Sequence, residues 1–232
     1  MPEAYWEDEK RGLTIYHGDC RAILPTFADG EFGSVVTDPP YGIGFADWDI
    51  PPDSAILQEC LRVAEGSVVM FGGAKPESLA VFLGLSPRPD RMMVWNCSNS
   101  ASGWPGIVYA LHPLWVWRVP RPVPWGIMHD VITESVTPGE LAAHKAVGHP
   151  TWKPVRLMEP LVRVFGGRST LDPYMGSGTT LVAAAKLGIL ACGIEISERY
   201  AEMARCRLEG GFMHDEPSHL FNQPDLLQEA RD

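Results

Sequence analysis

The residues Asp38-Pro39-Pro40-Tyr41 form a rigid group of hydrogen-bond acceptors. Two consecutive prolines restrict the backbone and remove two N–H donors, so the carbonyl oxygens and the Asp38 carboxylate can only accept. Such a group suits an exocyclic NH2, with one hydrogen for the Asp38 carboxylate and one for the Pro39 carbonyl. The Tyr41 ring can stack on the heterocycle that carries the amine. The alternative is a rigid turn with an incidental tyrosine.

A second group of residues, 172–180 (DPYMGSGTT), has the composition of a ligand-binding turn. Gly176 and Gly178 permit a tight turn and close approach of a ligand, and the helix expected to follow offers free N–H groups. The third glycine of the dinucleotide fingerprint is replaced by Leu181, and no GK[ST] follows. The sequence therefore predicts a ligand without a polyphosphate, such as a nucleoside or an amino-acid carboxylate.

Glu195 follows the next apolar run, where its carboxylate can accept both hydroxyl hydrogens of a ribose. Taken singly, the glycines could form a plain turn and Glu195 could be a solvated strand end. The order of strand, glycine turn, helix, strand and acid favours the ligand site.

These groups must be positioned by elements whose apolar runs alternate with segments of helical period, a pattern typical of βα units around a parallel sheet. An α/β sandwich is expected. Strands are predicted over 33–37, 67–71, 91–95, 114–119, 169–172 and 189–194, and helices over 53–64, from Pro154 to the glycines at 166–167, over 179–187 and over 197–208.

Two stretches are predicted to be loops. Residues 96–106 are rich in Gly, Pro, Ser and Asn, and residues 119–150 contain five prolines. The tail after Gly210 is acidic and irregular, and we expect it to be partly disordered or to pack as an appendage.

Composition indicates one globular domain of 232 residues with 45% apolar content. No apolar run approaches the roughly 20 residues of a membrane helix, and the N-terminus is unlike a secretory signal. Five scattered cysteines without a CxxC pair suggest neither a disulfide framework nor a zinc site. We therefore expect a soluble protein of the reducing cytoplasm, without a metal and without membrane contact.

The net charge of −10 argues at first against a nucleic-acid partner. Residues 86–168, however, hold nine basic and five acidic side chains, so this stretch carries +4 and the remainder −14. Ordinary fluctuation in a mixed surface explains the distribution equally well, and charge alone does not decide.

Together these motifs resemble the amino-group DNA methyltransferases that use S-adenosylmethionine, in the permuted class whose catalytic motif precedes the cofactor motif. Residues 18–20 (GDC) and 149–154 (HPTWKP) are similar to further family segments. The resemblance implies a Rossmann-like methyltransferase fold, with a doubly wound, mostly parallel, seven-stranded sheet and helices on both faces. It implies one catalytic domain over 1–232, a small target-recognition insertion over about 119–149 and an acidic tail over 210–232.

The resemblance also assigns site residues. The methionine part of the cofactor would lie against Asp172, Gly176 and Gly178, with Thr151 and Lys153 closing that end. Glu195 would bind the ribose and Asp19 would lie near the adenine. Tyr174 stands where Phe is common and Trp152 where Gln is usual. The complete implied cofactor set is Asp19, Asp38, Thr151, Lys153, Asp172, Tyr174, Gly176, Ser177, Gly178, Thr179 and Glu195.

The implied activity is methyl transfer to the exocyclic amine of a flipped base held by Asp38, Pro39, Pro40 and Tyr41, without a covalent intermediate. Adenine-N6 is the leading target, because cytosine-N4 members more often have Ser in place of Asp38. Alternatives are cytosine-N4, a protein glutamine amide, and a binding subunit without activity. The duplex partner is expected to meet Arg118, Arg121 and Lys145, the loop 96–106 is an alternative contact, and a homodimer is expected because the reading segment is small.

Overall fold

The computed structural model describes residues 2–42, 50–97, 99, 103–104, 107–108, 110–119, 129–137 and 153–210. These residues form a mixed sheet with a hydrophobic core on each face. The α/β class predicted from the alternating apolar runs is confirmed.

Eleven strands are described, and nine of them form the main sheet. They are β1 Trp6–Asp8, β2 Leu13–His17, β3 Ser34–Thr37, β4 Val68–Phe71, β5 Arg91–Asn96, β6 Gly103–Trp104, β7 Ile107–Val108, β8 Leu111–Trp117, β9 Val131–Thr133, β10 Ser169–Asp172 and β11 Leu190–Glu195. The order across the main sheet is β1-β2-β11-β10-β3-β4-β8-β5-β9, and β6 pairs with β7 separately.

The expected seven-stranded sheet is wrong, because the described sheet has nine strands. Both outer strands are three residues long: β1 lies antiparallel to β2, and β9 lies parallel to β5. Runs this short carry no periodic signal in the sequence. The expected loop over 119–150 is also wrong at 131–133, where β9 forms.

Five adjacent strands, β2, β11, β10, β3 and β4, run parallel to one another. Their last residues, His17, Glu195, Asp172, Thr37 and Phe71, therefore share one side of the sheet, here called the carboxyl edge. The intervening β8 is antiparallel to both β4 and β5, so β8 starts at the carboxyl edge and β5 ends there. Ligand sites of open α/β sheets collect at this edge.

Six helices and one short 3-10 turn are described: α1 Cys20–Ile23, the 3-10 turn Leu24–Thr26, α2 Ser54–Val63, α3 Pro76–Gly84, α4 Val155–Phe165, α5 Thr179–Leu187 and α6 Glu198–Glu209. Buried side chains of α4, α5 and α6 join one core, and those of α1, α2 and α3 join the other. The expected helices on both faces are confirmed.

Side chains along each inner strand alternate between the two cores. In β3, Val36 belongs to the core under α4 and α5, and its neighbour Val35 to the core under α2. In β4, Val69 and Phe71 likewise alternate with residues of the opposite core. Side chains of successive strand residues point to opposite faces, so a sheet covered on both sides becomes apolar along its whole length.

Local sequence explains where the helices begin. The Asp53 carboxylate accepts the Ile56 amide at 2.9 Å, so Asp53 is the N-cap of α2. Pro154 is the N-cap of α4 rather than a first-turn residue, and Gly166 ends that helix. The helix α3 was not predicted, because its mostly apolar sequence lacks a polar face of helical period.

The strand predicted over 114–119 begins earlier, at Leu111, and includes Pro113. The Pro113 carbonyl accepts the Gly72 amide at 2.9 Å. The missing proline N–H does not prevent strand geometry, because its carbonyl still pairs with the end of β4.

None of the described helices is long and apolar enough to cross a membrane. Most of the expected recognition insertion over 119–149, and the expected tail beyond Gly210, lie outside the described residues. Both stay predictions.

We predict that Leu161→Ala lowers the free energy of unfolding by about 3 kcal/mol, because a fully buried side chain between α4 and the sheet is replaced by a cavity. The control Leu83→Ala, at a side chain 56% exposed on α3, should change it by less than about 0.5 kcal/mol. Urea unfolding measures both, and equal losses would contradict the described core.

Candidate functional site

The two sequence motifs meet at the carboxyl edge. Asp38 directly follows β3, and Asp172 ends the neighbouring strand β10. Glu195 ends β11 on the other side of β10, and Asp19 follows β2 one strand further out. The four acidic residues assigned from the sequence thus lie at the ends of four adjacent parallel strands.

The buried carboxylate of Asp172 links the two motifs. Its Oδ1 accepts the Thr37 hydroxyl at 2.6 Å and the Tyr174 amide at 3.1 Å. Its Oδ2 accepts the Thr180 hydroxyl at 2.5 Å. Thr37 immediately precedes Asp38, so the position of the first motif depends on the second.

The pKa of Asp172 is raised to about 6, first by burial and further by the charge of Asp38, and the threonine hydroxyls and the Tyr174 amide partly offset the rise. A carboxylate with several donors and little solvent is well suited to fixing backbone geometry. The structure gives Asp172 this linking role. Its contact with a cofactor stays a prediction.

The glycine turn between β10 and α5 has the predicted backbone. Gly176 and Gly178 have φ of 55° and 81°, which glycine adopts without strain, and Gly178 is the N-cap of α5. The Gly176 amide donates to Glu195 Oε2 at 2.8 Å. Glu195 therefore holds the turn beside the end of β11.

Glu195 is 8% exposed, and burial raises its pKa. Its Oε1 accepts the Ser197 amide at 2.8 Å. A carboxylate offers about four lone-pair positions, so Glu195 can still accept a ligand hydroxyl. The next residue, Ile196, is 57% exposed and offers apolar surface at the same edge.

Arg207 forms hydrogen bonds with the glycine turn, a role that was not predicted from the sequence. Its buried guanidinium on α6 donates to the Ser177 carbonyl at 2.7 Å and to the hydroxyls of Ser177 and Thr179 at 3.2 Å. These hydroxyls therefore face the helix. One sequence feature could have indicated this role: Arg207 is a charged residue on the apolar face of a helix, next to Ala204 and Leu208.

Asp38 has a cation and a phenol on its two oxygens. Tyr41 donates its hydroxyl to Oδ1 at 2.5 Å, and the ammonium of Lys153 contacts Oδ2. Lys153 also donates to the Tyr41 oxygen at 3.3 Å, and its nitrogen lies 5.3 Å from the centre of the Phe71 ring. The sequence placed Lys153 at the methionine end of the cofactor, and its contact with Asp38 was not predicted.

Tyr41 in this cluster and the nearby His112 are both favoured in their neutral forms. Burial raises the pKa of Tyr41 well above its usual range, and the charge of Asp38 adds to the rise. Burial lowers the pKa of His112 to about 4, with Lys153 contributing. His112 stacks on Trp95 with ring centres 4.7 Å apart.

Asp19 lies at the carboxyl edge but is also a helix cap. Its exposed carboxylate accepts the Arg21 amide at 2.8 Å at the start of α1. Tyr174 is partly buried and packs against the core under α1 and α2.

Arg118 does not join the site. It follows β8 at the edge opposite Asp38, and its guanidinium donates to the Ala64 carbonyl at 2.7 Å. Arg91 and Arg168 precede or begin strands at that same opposite edge. These three arginines therefore lie on the order of 13 Å, four strand residues, from the carboxyl edge.

The remaining assigned residues, Thr151, Arg121 and Lys145, lie outside the described residues. Within the described ranges, no group of three or more His, Cys, Asp or Glu residues could hold a metal ion.

Comparison with known proteins shows which family this chain matches. Residues 90–205 match the family model of N6/N4 DNA methylases. YubD of Escherichia coli (strain K12) is 31% identical over 211 residues, which cover 82% of this chain and 88% of YubD.

Two solved structures share the fold. The M1.HpyAVI–SAM complex matches with a TM-score of 0.62 and 21% identity, over 84% of this chain and 99% of that one. PvuII DNA methyltransferase, which is cytosine-N4-specific, matches with a TM-score of 0.64 and 17% identity, over 94% of this chain and 92% of that one. At these identities the likeness supports the fold alone.

We predict that Asp172 makes stability fall as the pH rises. Its pKa is near 3.8 when unfolded and about 6 when folded, so the folded state binds the extra proton and loses this advantage between those values. Between pH 4.5 and 8 the wild type should lose about 2 kcal/mol more of unfolding free energy than Asp172→Asn. Urea unfolding at both pH values measures the difference, and parallel pH profiles would exclude the buried, titrating carboxylate.

Proposed function

The chain belongs to the N6/N4 DNA methylase family, and on that premise we propose that it is a site-specific DNA adenine-N6 methyltransferase. Membership establishes an S-adenosylmethionine-dependent DNA amino-methyltransferase. The choice of adenine and the roles of individual residues are our proposal.

The residues at the carboxyl edge fit the cofactor. S-adenosylmethionine carries a sulfonium and an ammonium, and the acidic side chains Asp19 and Glu195 suit a cationic ligand. In this proposal Glu195 accepts a ribose hydroxyl, and the exposed Ile196 covers a purine face. The turn at Gly176 and Gly178 lets the methionine part approach the backbone.

The first motif holds the base to be methylated. The amine lone pair of adenine is delocalised into the ring, so acceptors must draw the nitrogen towards tetrahedral geometry. Asp38 accepts one hydrogen and the Pro39 carbonyl the other, while Pro40 fixes the turn and Tyr41 covers the ring face. Positioning and stabilisation of charge on the nitrogen supply the rate enhancement.

When bound, the cofactor would supply an electrophilic methyl group to the amine nitrogen, which Asp38 and the Pro39 carbonyl would orient, and the methylated amine would release its displaced proton to solvent.

The single observation that carries the adenine assignment is the carboxylate of Asp38 at the end of β3. The family resemblance associates Asp here with adenine and Ser with cytosine-N4. The cytosine-N4 alternative uses the same acceptor geometry, and the similarity to PvuII methyltransferase favours keeping it. A glutamine methyltransferase is disfavoured because its catalytic motif follows the cofactor motif. An inactive subunit is disfavoured because Asp38, the glycine turn and Glu195 are intact.

We propose that duplex DNA approaches the carboxyl edge, since the target base must reach Asp38. Among the expected phosphate contacts, Arg118 lies at the opposite edge, so Arg121 and Lys145 are the stronger candidates.

The target-recognition insertion of about 119–149 is short for the roughly 1,000 Å² of a specific DNA interface, and this supports a homodimer on DNA. The expected setting is the cytoplasm of a bacterial or phage-infected cell.

The proposal is tested by incubating the protein with methyl-labelled S-adenosylmethionine and unmethylated DNA, then identifying the nucleosides by mass spectrometry. N6-methyladenine is the expected product. N4-methylcytosine would establish the alternative target, and label found only in protein would exclude DNA as the substrate.

We predict that Asp38→Ala abolishes methyl transfer and changes cofactor affinity by less than about tenfold, or 1.4 kcal/mol, because Asp38 is assigned to the target amine. Asp90→Ala at the opposite edge is the matched control and should retain activity. Radiolabel transfer and isothermal titration measure the two effects. Retained turnover in Asp38→Ala would remove Asp38 from the catalytic group.

We predict that Arg207→Met weakens cofactor binding by about tenfold, because the glycine turn loses three buried hydrogen bonds. Arg205→Met on the same helix removes only partly exposed ion pairs and should leave affinity unchanged. Isothermal titration at a temperature where both variants are folded decides the point, and equal affinities would exclude the support role.

A further inference from the structure

Lys153 is a buried cation in contact with the acceptor assigned to the target amine. Its side chain is 8% exposed and that of Asp38 is 20% exposed. Among the described residues, it is the cation that forms an ion pair with Asp38. A buried ammonium is costly unless it is paired and hydrogen-bonded, so this contact holds both groups in place.

The surroundings fix the ammonium at one position. Its nitrogen lies 5.6 Å from the centre of the Tyr41 ring and 5.3 Å from that of Phe71, distances at which aromatic rings attract a cation. Pro154, the N-cap of α4, follows directly and restricts the backbone of Lys153.

Asp38 keeps acceptor capacity in this arrangement. A carboxylate has about four lone-pair positions, and Tyr41 and Lys153 use two of them. Counted over the described residues, the carboxylate therefore retains capacity for a hydrogen bond from an incoming amine. At the same time Asp172, on the adjacent strand, is a second carboxylate close enough for its pKa to be raised by Asp38. A positive group beside Asp38 offsets this mutual repulsion.

We propose that Lys153 is a positioning residue for methyl transfer, which holds the Asp38 carboxylate oriented towards the target amine. The proposal rests on the proposed function and deepens it. Lys153 acts through Asp38, and it is not required to touch the cofactor.

The pH of the test is chosen so that the titratable groups around Asp38 do not change their protonation. His112 is neutral above about pH 4, and Tyr41 keeps its proton because its pKa is raised well above the usual range. The pKa of Asp172 is about 6, so the comparison is made at pH 7.5, above that value.

The test compares kcat and the KM for DNA at pH 7.5 for the wild type, Lys153→Met, Lys153→Arg and the control Lys186→Met, which removes a partly exposed ion pair with Glu159. Lys153→Met should lower kcat at least tenfold and change the KM for DNA less than twofold, because the Asp38 carboxylate loses the contact that orients it. Lys153→Arg should restore most of kcat, and Lys186→Met should match the wild type. Affinity for S-adenosylmethionine should change less than twofold in all of them.

If Lys153→Met does not fold, Lys153→Gln also removes the ion pair and is expected to show the same fall in kcat. An unchanged kcat would overturn the proposal, and so would weakened cofactor binding, which would make Lys153 a cofactor contact. A kcat above that of the wild type would overturn it too, because the lysine would then be a competitor for Asp38. Wild-type protein that transfers no methyl group to any DNA would count against the proposed function itself, a distinct result.

Discussion

The hydrogen bonds of the buried Asp172 carboxylate are the constraint on which the site depends. Thr37 and Thr180 donate to its two oxygens, so the ends of β3 and β10 and the first turn of α5 are tied to one group. Thr37 and Asp172 are 135 positions apart in the chain, so the link joins distant segments. Without this link, the acceptor at Asp38 and the glycine turn would be related only through the pairing of β3 with β10. With it, an amine on Asp38 and a ligand at the turn have a fixed relation.

The charges of the carboxyl edge follow from that constraint. Asp38 and the buried Asp172 lie at the ends of adjacent strands, and the charge of Asp38 helps to raise the pKa of Asp172. Lys153 pairs with Asp38 just before α4, and Arg207 on α6 donates to the oxygens of the glycine turn. The two cations thus reach this edge from different helices. The edge can then present acceptors to a cationic ligand and to an amine without a large unpaired charge in its interior.

The sequence predicts well where the site lies, because the carboxyl ends of parallel strands lie at the same edge of a sheet. Asp38, Asp172 and Glu195 each follow an apolar run, and that alone places them on one edge. The partners of these residues are not predictable in the same way. The contacts Thr37–Asp172 and Lys153–Asp38 join residues more than a hundred positions apart, and no local pattern encodes them. The short strand β9 and the position of Arg118 depend equally on long-range pairing, so the sheet had two more strands than expected and Arg118 lay at the edge opposite Asp38.

The account's central claim is that the carboxylate of Asp38 accepts a hydrogen bond from the amine of the extrahelical base. A crystal structure of the protein with duplex DNA and a cofactor analogue whose sulfonium is replaced by a non-transferable group measures this directly. The account predicts that the exocyclic nitrogen of an adenine lies about 2.7–3.2 Å from Asp38, and also within hydrogen-bond distance of the Pro39 carbonyl. An extrahelical base whose amine lies beyond about 4 Å from Asp38, or that is bound by another group at the carboxyl edge, would contradict it.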